Sequence, residues 1–100
     1  MRNNEIVNAD ADPFVLGLQL LAHVAADADL GVRFLALTGL DADDLRARAA
    51  DPGVLTALID FVAARESDLV AAAAALDVRP QAIIRAGESL GGGQMQDDGA

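Results

Sequence analysis

Apolar and polar positions recur along this chain with the period of a helix, and two of the recurring segments begin with the same signal. Asp12-Pro13 and Asp51-Pro52 each place an aspartate before a proline, as at a helix N-cap followed by the first helical residue. The first predicted helix covers about 13–26, and its polar-leaning stripe, at a spacing of four, contains Val15, Gln19, His23 and Asp27. Because the rest of this helix is apolar, we predict that it is the most buried element.

Two shorter helices are predicted in the middle of the chain. The second has Asp27 or Asp29 as its N-cap and ends at Thr38, where Gly39 allows the left-handed backbone of a C-terminal stop. Its shared face contains Leu30, Phe34 and Leu37.

The third predicted helix is a short surface helix after the acidic run 41–44. Asp41 is its expected N-cap, and Asp44 takes the place of the glutamate in a capping box. Asp44 and Arg48 are four residues apart, which predicts a charge pair on the outer face. Leu45 is the one large apolar residue of this helix.

Three further helices are predicted after Asp51-Pro52. The fourth directs inward Val54, Leu55, Leu58, Phe61 and Val62. A break is expected at 65–67, with Ser67 as the N-cap of a fifth helix over 68–76. The alanine run 71–75 has little side-chain bulk and would let another helix approach closely. Pro80 opens the sixth helix, which carries Ile83, Ile84 and Leu90 and ends at the glycine run 91–93.

These elements predict an all-α protein, a compact bundle of five to six short helices in which helices four to six pack on helix one. Alanine and leucine dominate the composition while β-branched and aromatic residues are few, which favours helices over strands. A single helical domain is expected over 12–92, with disordered tails at 1–11 and 93–100. Segments 36–46 and 74–84 share an order of helix, turn, apolar residue, cap and helix. Because any helical hairpin has that order, an internal repeat stays open.

The charge balance excludes several classes of partner. The formal net charge is −9 and all seven basic residues are arginines, so the field of the protein repels nucleic-acid phosphates and anionic lipid. Its longest apolar run, 14–26, is too short to span a bilayer, and Asp10 and Asp12 before it do not fit a signal peptide. We therefore expect a cytoplasmic protein that does not bind membranes and for which nucleic-acid binding is disfavoured. The chain has no cysteine, which excludes disulfides and thiolate metal sites.

One stretch resembles a known family. The stretch Phe34-Leu35-Ala36-Leu37-Thr38-Gly39-Leu40-Asp41 is followed by Asp44-Leu45-Arg46, Asp51-Pro52 and Leu58-Ile59-Asp60-Phe61. Together these resemble the bacterial domain-of-unknown-function family 3572, over roughly residues 14–92. The resemblance implies a short helical protein of the bacterial cytoplasm. No activity is established for that family, so it transfers no catalytic or binding residue.

The chain contains residues that match catalytic sequence motifs, but the structural context that such motifs require is not predicted. Gly87-Glu88-Ser89-Leu90-Gly91 matches the G-x-S-x-G nucleophile elbow, which requires a strand before the serine and a helix after it. A helix is predicted before this serine and a glycine run after it. His23, the only histidine, could be oriented by Asp27 and reach Ser67 or Ser89. We favour the interpretation that His23 lies on an exposed polar stripe and forms a weak pair with Asp27.

Acidic clusters raise the question of a divalent cation. They are Asp10/Asp12, Asp27/Asp29 and Asp41/Asp43/Asp44. None has the glycine and glutamate positions of an EF-hand, and all three lie just before predicted helices, where aspartate caps the backbone. We therefore expect no metal and no cofactor.

Segment 73–90 is similar to a helix-turn-helix. In that reading Gln81 and Arg85 contact bases and Arg79 contacts phosphate. The net charge and the absence of a basic patch disfavour it.

The leading hypothesis is accordingly a protein–protein interaction module that is not an enzyme and has no assigned catalytic residue. Surplus apolar surface on helix one and on the alanine face of helix five would form a groove for another protein or a homodimer interface. Long-range electrostatics would favour a basic partner surface. The alternatives are a nucleic-acid-associated regulator using 73–90 and a small hydrolase or metal-dependent enzyme. Each predicts a distinct surface: an apolar patch, clustered arginines, or His23 in a cleft with a serine or carboxylate.

Overall fold

Six α-helices and one π-helical turn make up the part of the chain that the structure, a computed structural model, describes: residues 12–92. The elements are α1 (Pro13–Ala26), α2 (Ala28–Thr38), α3 (Ala42–Ala47), α4 (Pro52–Ala63), α5 (Glu66–Leu76), α6 (Pro80–Gly87) and the π turn Glu88–Gly92. The all-α bundle predicted from the sequence is confirmed. The tails predicted at 1–11 and 93–100 lie outside the described residues.

Aspartates begin the first four helices, as the sequence predicts. The Asp12 carboxylate accepts hydrogen bonds from the amides of Phe14 and Val15, at 3.0 and 3.3 Å. Asp51 accepts from the amide of Gly53 at 2.8 Å. Asp41 and Asp44 form a reciprocal capping box. Each carboxylate satisfies a donor that the helix itself leaves unpaired.

Helix α1 lies at the centre of the bundle and contacts α2, α4, α5 and α6. Leu16, Leu20 and Val24 are its buried large side chains, and they lie on one face because they are four residues apart. They pack in one core with Leu55, Leu58, Val62 and Ile83. The predicted arrangement of the last three helices on the first is confirmed.

Close packing among α1, α4 and α6 depends on glycine. A Cβ built on Gly87 would lie 2.8 Å from Cγ2 of Ile59, and one built on Gly17 would lie 3.2 Å from Cδ1 of Leu55. In α5 the alanine run supplies Ala72 and Ala73 to the core, as its lack of bulk predicted. Glycine and alanine residues at these contacts therefore allow the helices to approach one another closely.

Helix α2 leaves α1 at a bend of 109°. Asp27 forms the whole connection: its backbone is extended, its amide donates to the carbonyl of Val24, and its carboxylate accepts from the amide of Leu30 at 3.1 Å. Only the first part of α2 reaches the core, through Leu30 and Phe34. Helix α3 contributes no buried residue, so α2 and α3 form the outer side of the bundle.

Two local predictions are wrong. Ser67 does not cap α5, because the chain turns earlier, at Arg65, and the helix begins at Glu66 without a side-chain cap. Arg46 pairs with Asp43 at 3.0 Å, in place of the expected pair between Asp44 and Arg48. The Asp44 carboxylate instead accepts from the amide of Asp41, and α3 ends before residue 48.

The sixth helix is shorter than predicted. It ends at Gly87, and the backbone widens into the π turn that contains Leu90. Between residues 12 and 92, no single helix has the length and apolarity to cross a membrane. The pair α1 and α2 would qualify by combined length and composition, but it is bent.

Replacing Asp27 by alanine tests the connection between α1 and α2. We expect the free energy of unfolding to fall by about 0.5–2 kcal/mol, because the amide of Leu30 loses its acceptor. Urea denaturation followed by circular dichroism measures it. Asp60 is exposed within α4, so Asp60→Ala is the control and should be neutral or slightly stabilising. Equal losses in both variants would show that Asp27 has no capping role.

Gly87→Ala tests the contact between α4 and α6. The added methyl group meets the buried Ile59 side chain, and we expect a loss of about 1–3 kcal/mol in spite of the higher helix propensity of alanine. In an Ile59→Ala background, where Cγ2 is absent, the same substitution should cost less. A double-mutant cycle from urea unfolding gives the coupling, and zero coupling would contradict the contact.

Candidate interaction surface

An open apolar groove lies between the C-terminal ends of α2 and α4, and we call it the α2–α4 groove. Its volume is about 440 Å³ and its walls are Arg33, Ala36, Leu37, Phe61, Ala64 and Arg65. Four of these side chains are apolar, and the two charged ones are both arginines. The groove thus joins an apolar lining to positive charge on a protein whose net charge is −9.

Leu37 is the most exposed large apolar side chain among residues 12–92, at 68%. It lies three residues after Phe34, on the same side of α2 that is buried one turn earlier. The sequence predicted this shared face correctly, but not the exposure. In the last turn of α2, Leu35 and Thr38 are half-buried, whereas Leu37 is left uncovered.

Phe61 closes the inner wall of the groove. Its ring lies 5.4 Å from the ring of Phe34, tilted by 56°, within the range of favourable aromatic pairs. The Arg33 guanidinium lies over the same ring, 5.4 Å from the centroid. The groove wall is therefore anchored to the core through Phe34, which is fully buried.

Arg33 connects two helices and is held in place by two carboxylates. Its Nε donates to Asp29 at 3.1 Å and its Nη2 donates to Asp68 of α5 at 3.2 Å. Partial burial lowers the pKa of Arg33, but the hydrogen bonds and negative charges of these carboxylates outweigh that effect and raise it above its ordinary value. Arg33 is thus a fixed cation at the edge of the groove, and its single positive charge is more than balanced by the two carboxylates.

Arg65, at the other edge, is exposed and forms no ion pair with any residue between 12 and 92. It occupies the turn between α4 and α5. Its position in the groove follows from the helix break that the sequence predicted at 65–67. The positive charge of the groove that remains available to a partner is therefore that of Arg65.

The apolar surface continues outside the groove along α2. Val32 is 67% exposed and lies one helical turn before Ala36, so the two residues are neighbours on the helix surface. Ala36 then joins Leu37 in the groove wall. Val32, Ala36, Leu37, Phe61 and Ala64 thus form one contiguous apolar patch.

A second cleft, of about 350 Å³, lies between α1, α2 and α3. It is lined mainly by apolar side chains, among them Leu21, Val24, Phe34, Leu35 and Leu45. Arg46 is its charged lining residue and is already paired with Asp43.

His23 lies in a shallow cleft with Gln19, Ala22, Ala75 and Leu76. No serine or carboxylate lines this cleft, and the Asp27 carboxylate is used as a helix cap. The Nε2 atom of His23 is buried and has no hydrogen-bond partner within residues 12–92. Ser67 and Ser89 are exposed elsewhere, and Ser89 belongs to the π turn, with no strand before it in the described chain. The structure assembles neither the alternative constellation of histidine, serine and carboxylate nor the pair of His23 and Asp27 favoured from the sequence, because the Asp27 carboxylate accepts from the amide of Leu30.

The residues predicted for nucleic-acid contact do not form one cluster. Gln81 and Arg85 are exposed one turn apart on α6. Arg79 occupies the N-cap position of that helix, six residues before Arg85, which places the two about 120° apart around the axis. Within 12–92, no group of three acidic or histidine side chains could hold a metal ion. Asp10 lies outside the described residues.

The exposed apolar patch does not lie where the sequence predicted it. Surplus apolar surface was expected on helix one and on the alanine face of helix five, yet the two most exposed large apolar side chains are Val32 and Leu37 of α2. The available signal was the apolar residue Leu37 directly before the helix stop at Gly39, followed by a helix with a single large apolar side chain.

This fold defines a small all-α bundle with an open apolar surface. The chain belongs to the family described as "Protein of unknown function (DUF3572)", whose sequence pattern matches residues 10–93. The resemblance seen in segment 34–41 is thereby confirmed. No curated protein and no solved structure matches the chain.

Leu37→Ala should separate binding from stability. Because Leu37 is mostly exposed, we expect the free energy of unfolding to change by no more than about 0.5 kcal/mol. Leu58 is fully buried, so the matched variant Leu58→Ala should lose about 2–5 kcal/mol. Urea unfolding measures both. A comparable loss in the two variants would show that Leu37 is covered in solution.

His23→Leu should raise the free energy of unfolding by about 1 kcal/mol at neutral pH, because it removes a buried nitrogen without a partner. Gln19, one turn earlier and exposed, provides the control: Gln19→Leu should bring no gain. A clear loss of stability in His23→Leu would show that the imidazole has a polar partner.

Proposed function

We propose that this protein is a protein–protein interaction module and not an enzyme, and that it binds its partner through the apolar patch on α2 and the α2–α4 groove. The observation that carries the proposal is the contiguity of this patch. Val32 and Leu37, each about two-thirds exposed, are joined through Ala36 to the apolar lining of the groove. Single exposed apolar residues are common on soluble proteins, whereas a joined patch with a polar rim is typical of an interaction site.

Exposure of this patch has an energetic consequence. Burial of apolar surface stabilises by roughly 25 cal/mol per square ångström. The exposed patch lacks this stabilisation in the free protein and gains it when a partner covers the patch. The patch is also held rigid, because Phe61 packs at a tilt against the buried Phe34 and Arg33 is fixed by two carboxylates. A preformed surface loses little conformational entropy when a partner binds.

The other classes of function have less support. A regulator of nucleic acid requires concentrated positive charge, whereas Arg79 and Arg85 lie on different sides of α6 and the net charge is −9. An enzyme using His23 requires a second polar group in its cleft, and neither serine nor carboxylate lines it. A cytoplasmic location belongs to the proposal, since a chain without cysteine fits a reducing compartment.

The test is a quantitative pull-down from an extract of the source cell with three tagged full-length chains: wild type, Leu37→Ala and Val70→Ala. Val70 is the matched control, because it is half-exposed on α5 and does not line the groove. We expect one stoichiometric partner with the wild type and the control. Its recovery should fall by about tenfold with Leu37→Ala, as for an apolar hot-spot residue.

Salt dependence and self-association decide between the remaining outcomes. An interaction dominated by the patch should survive high salt. Equal recovery with wild type and Leu37→Ala would reject this surface as the binding site. If the wild type recovers only copies of itself, sedimentation velocity should show a dimer that Leu37→Ala dissociates, and the surface would then be a homodimer interface.

A further inference from the structure

We propose that the α2–α4 groove recognises a partner segment of defined chemistry: a large apolar side chain that packs between Leu37 and Phe61, next to a carboxylate that pairs with Arg65. This inference rests on the proposed function and adds the chemistry of the partner. It follows from three features of the groove, namely its uneven lining, its charge and its rigid wall.

The lining leaves space for one bulky apolar group. Leu37 and Phe61 face the groove from opposite helices, whereas Ala36 and Ala64, beside them, have minimal side chains. Small residues next to large ones create a concavity, and an aromatic or branched aliphatic side chain is the complement of such a shape.

The charge of the groove indicates which group of the partner lies beside the apolar side chain. Arg33 and Arg65 both line the groove, but the charge of Arg33 is more than balanced by Asp29 and Asp68. Arg65 has no such partner in the described part of the chain. Guanidinium binds carboxylate through two parallel hydrogen bonds, so an aspartate or glutamate on the partner would supply the counter-charge that this protein does not.

A carboxylate partner is compatible with the negative field of the whole protein. Charges separated by more than about 8 Å are largely screened at physiological ionic strength, so the contact with Arg65 is governed by its own surroundings. The remainder of the partner surface can still be basic, as the long-range field favours.

The experiment starts from a phage-displayed library of random peptides, selected against the full-length protein and then against Leu37→Ala, Arg65→Gln and Val70→Ala. We expect the wild type and Val70→Ala to enrich peptides with an aspartate or glutamate at a fixed spacing from a large apolar residue. Leu37→Ala should enrich no such peptides. Arg65→Gln should keep the apolar preference and lose the acidic one.

A double-mutant cycle then assigns the contact. One enriched peptide and its Asp→Asn or Glu→Gln counterpart are titrated by fluorescence polarisation against wild type and Arg65→Gln. We expect either single change to weaken binding by about tenfold, and the two together to weaken it no further. Thermal unfolding by circular dichroism confirms that the variants are folded.

The outcomes separate this inference from the proposed function. Peptides that depend on Leu37 but show no acidic preference, or an acidic preference that survives Arg65→Gln, would overturn the inference and leave the groove as a binding site. Peptides that bind wild type and Leu37→Ala equally would overturn both. A wild-type dimer in sedimentation velocity that Leu37→Ala dissociates would make a second copy the occupant and would also overturn the inference.

Discussion

The direction in which the chain leaves α1 determines most of what lies outside the core. The Asp27 amide caps the end of α1 and its carboxylate caps the start of α2. This one extended residue is the whole linker between the two helices, which meet at a bend of 109°. Two turns of α2 then reach the core through Leu30 and Phe34. Val32, between these two buried residues, and Leu37, in the remaining turn, stay exposed.

The elements that could be predicted from sequence are those determined by neighbouring residues. Asp12, Asp41 and Asp51 cap helices because an aspartate reaches amides two or three residues ahead. Gly39 ends α2 because its φ of 78° suits glycine. Ser67 shows the limit of such signals, since the break was placed correctly but the chain turned two residues before the expected cap.

The groove could not be predicted, because it depends on which residues of α2 the other helices cover. Leu37 has the periodicity of a core residue, and only the three-dimensional arrangement shows that nothing covers it. Arg33 was likewise unremarked in the sequence, since its partner Asp68 lies 35 residues away. The sequence likewise could not show which residues lie beside His23. The α5 residues next to it are alanine and leucine, so no catalytic site forms there.

Helix α3 is a small unit that the core hardly needs. It has a complete capping box but no buried residue, and Leu45 is its half-buried contact with the rest of the protein. Its hydrogen bonds can therefore open without exposing the core, and its amides should exchange with solvent long before those of α1.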